Sequence, residues 1–424
     1  MPADLTRRGF LSASLALAAS RFLPAQIVGG TENALADSVR MEPWQSGLLD
    51  IHHISTGRGN SVLIICPDGT SILIDAGAVK GPSEALAAAE PNTSRRPGEW
   101  IGRYALRHLS AAPRRELDFV VLTHFHGDHI GEVAPDSPAA PNGDYRLTGI
   151  SDVAELIPIR SLIDRGYPNY DYPALSADDS VKNYVRFVRA REKRRVKTEK
   201  LLAGSSGQIA LQHSRSDFPT FAVRNLAANG EVWTGHGNDT QNLFPPLSRL
   251  KPEEYPTENS CSIALRLDYG AFRYYIGGDL TCDTRFGTAP WMDVETPVAK
   301  VAGPVNVSAL NHHGYFDATG PDFVRAMRSR IYVLQAWHAS HLALSTLERL
   351  YSPILYSGER DVIATGLTNA ASLADARLSD KMLSQHGHVI VRVSQQGRQY
   401  HVIVLDDSRE EGSIKATFGP FTTA

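Results

Sequence analysis

The stretch LDFVVLTHFHGDHIG, residues 117–131, sets an apolar run directly before His124, His126, Asp128 and His129. A short run with almost no polar alternation predicts a strand buried on both faces, so the sheet that carries it needs a layer on each side. The ligand-rich turn then falls at the C-terminal end of that strand, on an edge of the sheet. With 424 residues and 42% hydrophobic composition, the chain can build the large core that such layering requires.

Other stretches follow the same plan. SVLIICPDGTSILIDAG predicts a hairpin turning at Pro67-Asp68-Gly69, with Asp75 at its exit, and a helix is expected from Glu99 to Leu109. Later, SIALRLDYGAFRYYIGGD predicts a second hairpin that turns at Tyr269-Gly270 and ends on Asp279. VNVSALNHHG reads as a buried strand ending on His312 and His313. A helix from Pro321 to Arg328 then leads into RIYVLQAWHASH, a further strand ending in histidines. HVIVRVSQQGRQYHVIVLDD closes the chain as a hairpin with Gly397 in its turn. This order predicts an α/β fold of two packed sheets with helices outside, the polar groups converging along one edge.

The convergent groups suit metal ions. In His124-x-His126, strand alternation sends both imidazoles the same way, toward one cation at zinc distances of about 2.0–2.1 Å. Asp128 and His129 are free to face a second cation. Asp279 can bridge the two, and His312 or His313 can complete the second site. Cations of this kind activate water at neutral pH, and a pair about 3.5–4 Å apart clamps the oxygens of a phosphodiester. Zinc suits the imidazole and carboxylate donors, with manganese and iron(II) as alternatives. Asp128 would also orient the water, and His341 would contact a substrate oxygen or protonate a leaving group. Asp75 is expected to orient a ligand histidine. His52 and His53 are expected to be structural or to support the ligands.

With these motifs the chain resembles the metallo-β-lactamase-fold superfamily, whose HxHxDH signature is matched by His124, His126, Asp128 and His129. The resemblance implies a four-layer αββα sandwich, two mixed sheets packed face to face with helices outside. It also implies Asp279 as bridging carboxylate and His312 as the final histidine. HHISTGRGNSVLIICPDGTSILIDAG, ENSCSIALRLDYGAFRYYIGGDL and NHHG are similar to the soluble domain of ComEC-type DNA-uptake proteins, over roughly residues 48–130 and 257–350. Where many superfamily members carry one more histidine, this chain has Asn259, as the ComEC-like branch does, which weakens the first site. His236, in the turn TGHGND, is a candidate for the missing nitrogen.

The resemblance implies a hydrolase domain over residues 45–410 with an insertion at about 135–256. Residues 1–25, with TRRGFLSASLALAAS, have the pattern of a twin-arginine export signal, which implies that machinery as a partner and a periplasmic or secreted location. The apolar stretch there is too short to span a bilayer, and no other segment is long enough. Net charge is -3, so nucleic acid would have to bind a local patch such as Lys182–Lys200. A run of this kind is ordinarily a solvated face. Cys66, Cys261 and Cys282 show no CxxC spacing, which argues against a disulfide framework or a cysteine-rich zinc module. The leading expectation is an exported metal-dependent phosphodiester hydrolase. The alternatives are a lactone, lactam or thioester hydrolase, and a non-catalytic binding protein in a DNA-handling assembly.

Overall fold

A computed structural model describes residues 39–80, 84–141, 143–374 and 376–423. The expected export signal at residues 1–25 lies outside the described residues. The first sheet gathers β1 (Leu49–His53), β2 (Val62–Ile65), β3 (Ser71–Ile74), β4 (Leu117–Val121), β5 (Ile159–Asp164) and β6 (Lys197–Lys200). The second gathers β7 (Phe221–Ala228), β8 (Glu231–Trp233), β9 (Thr240–Asn242), β10 (Ala264–Tyr269), β11 (Phe272–Ile276), β12 (Val307–Ala309), β13 (Ile331–Leu334) and β14 (Asp361–Ala364). The chain then returns to the first sheet as β15 (His388–Val393), β16 (Gln399–Leu405) and β17 (Ile414–Thr422). Strand orders are β17-β16-β15-β1-β2-β3-β4-β5-β6 and β14-β13-β12-β11-β10-β7-β8-β9.

Alternation within each strand builds two cores at once. Ile64, Ile74, Val121 and Ile163 face the second sheet and meet Leu265, Leu267, Tyr274 and Val333. Their neighbours Leu63, Leu73, Val120 and Leu162 face outward, under Ile101, Tyr104, Val153 and Phe187. Those covering residues come from helices α1 (Pro97–His108), α3 (Ile150–Leu156) and α4 (Asp179–Lys193). Between α1 and α3 lies the single turn α2 (Gly127–Ile130), which carries Asp128 and His129. On the far side, Tyr275, Tyr332 and Leu334 pack under α5 (Glu295–Ala302) and α6 (Pro321–Met327) through Val298 and Phe323. The four-layer αββα sandwich is thus present. Fully burying one such aliphatic side chain contributes about 1.5–3 kcal/mol, which explains why central strands are apolar on both faces.

Local chemistry fixes the helix starts. At α1, Pro97 opens the helix and the Arg96 amide donates to Glu99 Oε2 at 2.9 Å. At α4, the Asp178 carboxylate accepts from the Ser180 and Val181 amides. Within the basic run, α4 ends at Lys193 and KTEK forms β6, pairing parallel with β5 at the sheet's edge.

Residues 135–256, the span of the expected insertion, contribute to both sheets. They supply β5 and β6 to the first sheet and β7, β8 and β9 to the second. Their weak periodicity reflects position: KTEK and TQN are short outer strands with little surface to bury. The first sheet also runs past residue 410, because β17 pairs antiparallel with β16. Among the described residues, no helix is long and apolar enough to cross a membrane.

Candidate metal centre

Strand direction assembles the site. β3, β4, β5 and β6 run parallel, as do β11, β12, β13 and β14, so each set ends along one edge. From those ends come Thr123–His126 after β4, Asp279 after β11, His312 and His313 after β12, and His341 after β13. The two edges touch: the Ile263 amide donates to the Thr123 carbonyl at 2.9 Å. Gly278, at φ +54°, lies so close that a Cβ would meet the Thr123 side chain at 2.9 Å.

Two groups of donor atoms converge there: Asp128, His129, Asp279 and His313 in one, and His124, His126 and Asp279 in the other. Asp279 belongs to both. In the first group every donor points a lone pair inward. The Asp75 carboxylate can only accept, so His129 Nδ1, 2.8 Å away, carries the proton and leaves Nε2 bare. By the same logic His313 Nδ1 donates to the Gln335 carbonyl at 2.9 Å. His313 Nε2 then stands 3.0 Å from Asp128 Oδ2 and 3.5 Å from Asp279 Oδ1. His129 Nε2 is buried without a hydrogen-bond partner, 3.4 Å from Asp128 Oδ2 and 3.2 Å from Asp279 Oδ1. Imidazole nitrogens this close to carboxylate oxygens hold either a proton or a metal ion between them, and four such donors facing one point fit a divalent ion. Burial would lower the His129 pKa, but Asp279, Asp128 and Asp75 together raise it well above the usual histidine value. Burial opposes ionisation of Asp128 and Asp279, and the surrounding histidines nonetheless hold both well below the usual carboxylate range.

In the second group His124 Nε2 and His126 Nδ1 are 3.0 Å apart, and His124 Nε2 lies 3.6 Å from Asp279 Oδ2. This group brings three donors together against four in the first.

Asp75 takes the supporting place expected of it, also accepting from the Thr123 amide at 2.8 Å and Thr123 Oγ1 at 2.8 Å. His312 does not join the four-atom group; His313 does. The strand stops at Ala309, and the two histidines both adopt left-handed backbone, φ 45° and 51°, which swings His313 inward. His312 lies on the side of the three-donor group: its Nδ1 meets Asp317 Oδ1 at 2.7 Å, and its Nε2 stands 3.2 Å from Asn259 Nδ2 and 3.9 Å from Asp279 Oδ2. His341 stacks on His313, rings 4.5 Å apart at 14°, and its Nδ1 accepts from the Trp337 amide. His236 is exposed in the β8–β9 turn, and strand direction puts that turn at the edge opposite the cluster, so it supplies no ligand. Alternation sends His52 toward Tyr104 under α1 and His53 toward Gln335 between the sheets. Cys282 Sγ donates to the Asp317 carbonyl and ligates nothing among the described residues.

Comparison with known proteins bears on this cluster. Residues 55–141 match the metallo-beta-lactamase superfamily. The matched segment runs from the first glycine turn through HFHGDH, and the sandwich around it is of the metallo-β-lactamase type. Together with the donor groups, the match supports a metal-dependent hydrolase and divalent metal ions as its cofactor. A crystal structure of a diphosphatase from the PhnP family matches over 82% of this chain and 98% of its own, at 11% identity and TM-score 0.37. No curated protein matches the chain.

Sequence reasoning missed the pair that anchors the HxH turn. Glu258 Oε1 accepts from the Phe125 amide at 2.7 Å, and Arg165, just past β5, makes a two-pronged pair with the Glu258 carboxylate. The Arg165 guanidinium also covers the Phe125 ring at 4.4 Å. Only the proximity of Glu258 to Asn259 hinted at this.

Proposed function

We propose that the protein is an exported hydrolase that uses two divalent cations, zinc by the chemistry of its donors, to cleave phosphodiesters. The observation that carries this reading is Asp279, which presents Oδ1 to His129 and His313 and Oδ2 to His124, giving two adjacent cation seats on one carboxylate. Divalent cations there supply Lewis acidity, acidifying water and neutralising charge that develops on phosphoryl oxygens. The chain's own residues do the rest. Asp75 and Gln335 orient His129 and His313. Asp128 Oδ2, at the mouth of the four-donor group, orients the attacking water. His341, beside His313, faces the leaving group.

The test is turnover by metal-loaded protein of bis(p-nitrophenyl) phosphate, a lactone and a β-lactam. Diester turnover is expected; hydrolysis of the lactone or lactam alone overturns the reading. Nucleic acid as substrate gains less support from Lys182–Lys200. α4 begins beside α2 but runs about 22 Å away from it at about 1.5 Å per residue, carrying Lys193 and Arg195 to the opposite edge. Export rests on Arg7 and Arg8, and replacing both with lysine is expected to leave the protein in the cytoplasm.

A further inference from the structure

A cavity of about 720 Å³ opens on the helix side of the same edge, lined among others by Arg58, Lys80, Glu90, Arg95, Trp100 and Asp136. It adjoins the metal-bearing turn through backbone contacts. The Arg58 carbonyl accepts from the Val79 amide, the Asn60 amide donates to the Asp128 carbonyl at 2.8 Å, and the Ala78 amide donates to the Gly127 carbonyl at 3.2 Å. Gly77 sits so tightly on Asp128 that a Cβ would fall 1.8 Å from its carbonyl oxygen.

The cations on this wall are unequally compensated. Lys80 pairs with Asp136 at 2.6 Å, and Arg96, also at the wall, is locked on the buried Asp152 carboxylate at 2.7 Å. Arg58 is half-buried, and its guanidinium donates only to the carbonyls of Gly57 and Ala87; among the described residues no carboxylate pairs with it. Arg95 likewise has no carboxylate partner among them and lies over the Trp100 ring at 5.7 Å. A partly desolvated guanidinium without a counterion is costly unless a ligand brings the negative charge. Guanidinium groups match phosphate oxygens in a planar, two-pronged geometry.

We propose that this cavity holds a second phosphate of the substrate, one that is not cleaved, between Arg58 and Arg95 while the scissile group sits at the metal cluster. The proposal rests on the phosphodiesterase reading for its substrate class, but the cavity can be tested without turnover. Calorimetric titration of the metal-loaded protein with thymidine 5′-monophosphate and thymidine 3′,5′-bisphosphate measures the value of the second phosphate. The bisphosphate is expected to bind about tenfold tighter, as one charge-assisted contact allows, and the ratio should fall toward one in Arg58→Gln and Arg95→Gln. Arg95 is exposed, so its variant keeps the test decisive even if Arg58→Gln fails to fold. A ratio near one in the unaltered protein, or a ratio unchanged in Arg95→Gln, overturns the proposal. A tenfold ratio lost in Arg95→Gln, in a protein that hydrolyses no diester, keeps the site and removes the hydrolytic reading alone.

Discussion

Asp75 and Gln335 determine which nitrogens of His129 and His313 are bare, so the metal affinity of the four-donor group depends on atoms that touch no metal. Replacing Asp75 with asparagine is expected to weaken metal binding about 10- to 100-fold, read by competition with a chromophoric chelator. His313→Ala should cost more metal than His312→Ala, because only His313 stands among the four donors. The reverse order, measured as metal content per chain, would restore His312 as the ligand. HFHGDH and GGD were legible as ligand motifs because strand ends direct side chains predictably. In NHHG the pair was legible but not which histidine joins Asp128, because two successive left-handed residues break that alternation.

Between elements, the tie that holds the HxH turn is Arg165 with Glu258, joining the end of β5 to the loop before β10. The Arg165 side chain is 2% exposed, so removing its partner strands a buried charge. Glu258→Ala is therefore expected to lower stability by about 3–5 kcal/mol, measured by urea unfolding of the metal-free protein. A loss under about 1 kcal/mol would mean that water replaces the carboxylate. No local pattern announces such a pair, since its members lie 93 residues apart. The hairpins at Pro67-Asp68-Gly69 and Tyr269-Gly270 were legible because their turn chemistry is local.

Over the whole molecule, the buried His52, His53 and His388 and the half-buried His108 set an acid limit. Burial lowers His53 to about 4, His108 to about 3 and His388 to about 4, and holds His52 well below its usual value. In the unfolded chain each titrates near 6.5, so the unfolded state binds more protons between about 6.5 and 4. Their contribution is present above 6.5 and is lost as pH falls through the folded values. Glu295 acts in the opposite sense: burial raises it to about 7, so its contribution is greatest below its unfolded value and fades as pH rises toward 7. Asp50, Asp152, Asp164, Asp293 and Glu90, also raised by burial, act in the same sense as Glu295, whereas Asp128 and Asp279, held low, act with the histidines; the melting temperature is expected to drop between pH 6.5 and 4. His108→Phe should shallow that drop; an unchanged pH profile would show that these histidines do not control it.

By itself the sequence determined the layered α/β plan, the hairpin turns and the ligands that leave strands directly, because strand alternation and turn residues act over a few positions. Only the tertiary structure decided that residues 135–256 thread both sheets, that His313 and not His312 joins Asp128, and that Arg165 meets Glu258. Those outcomes depend on which edges the packed sheets bring together and on backbone turned left-handed by its surroundings, and neither is written in any short stretch of chain.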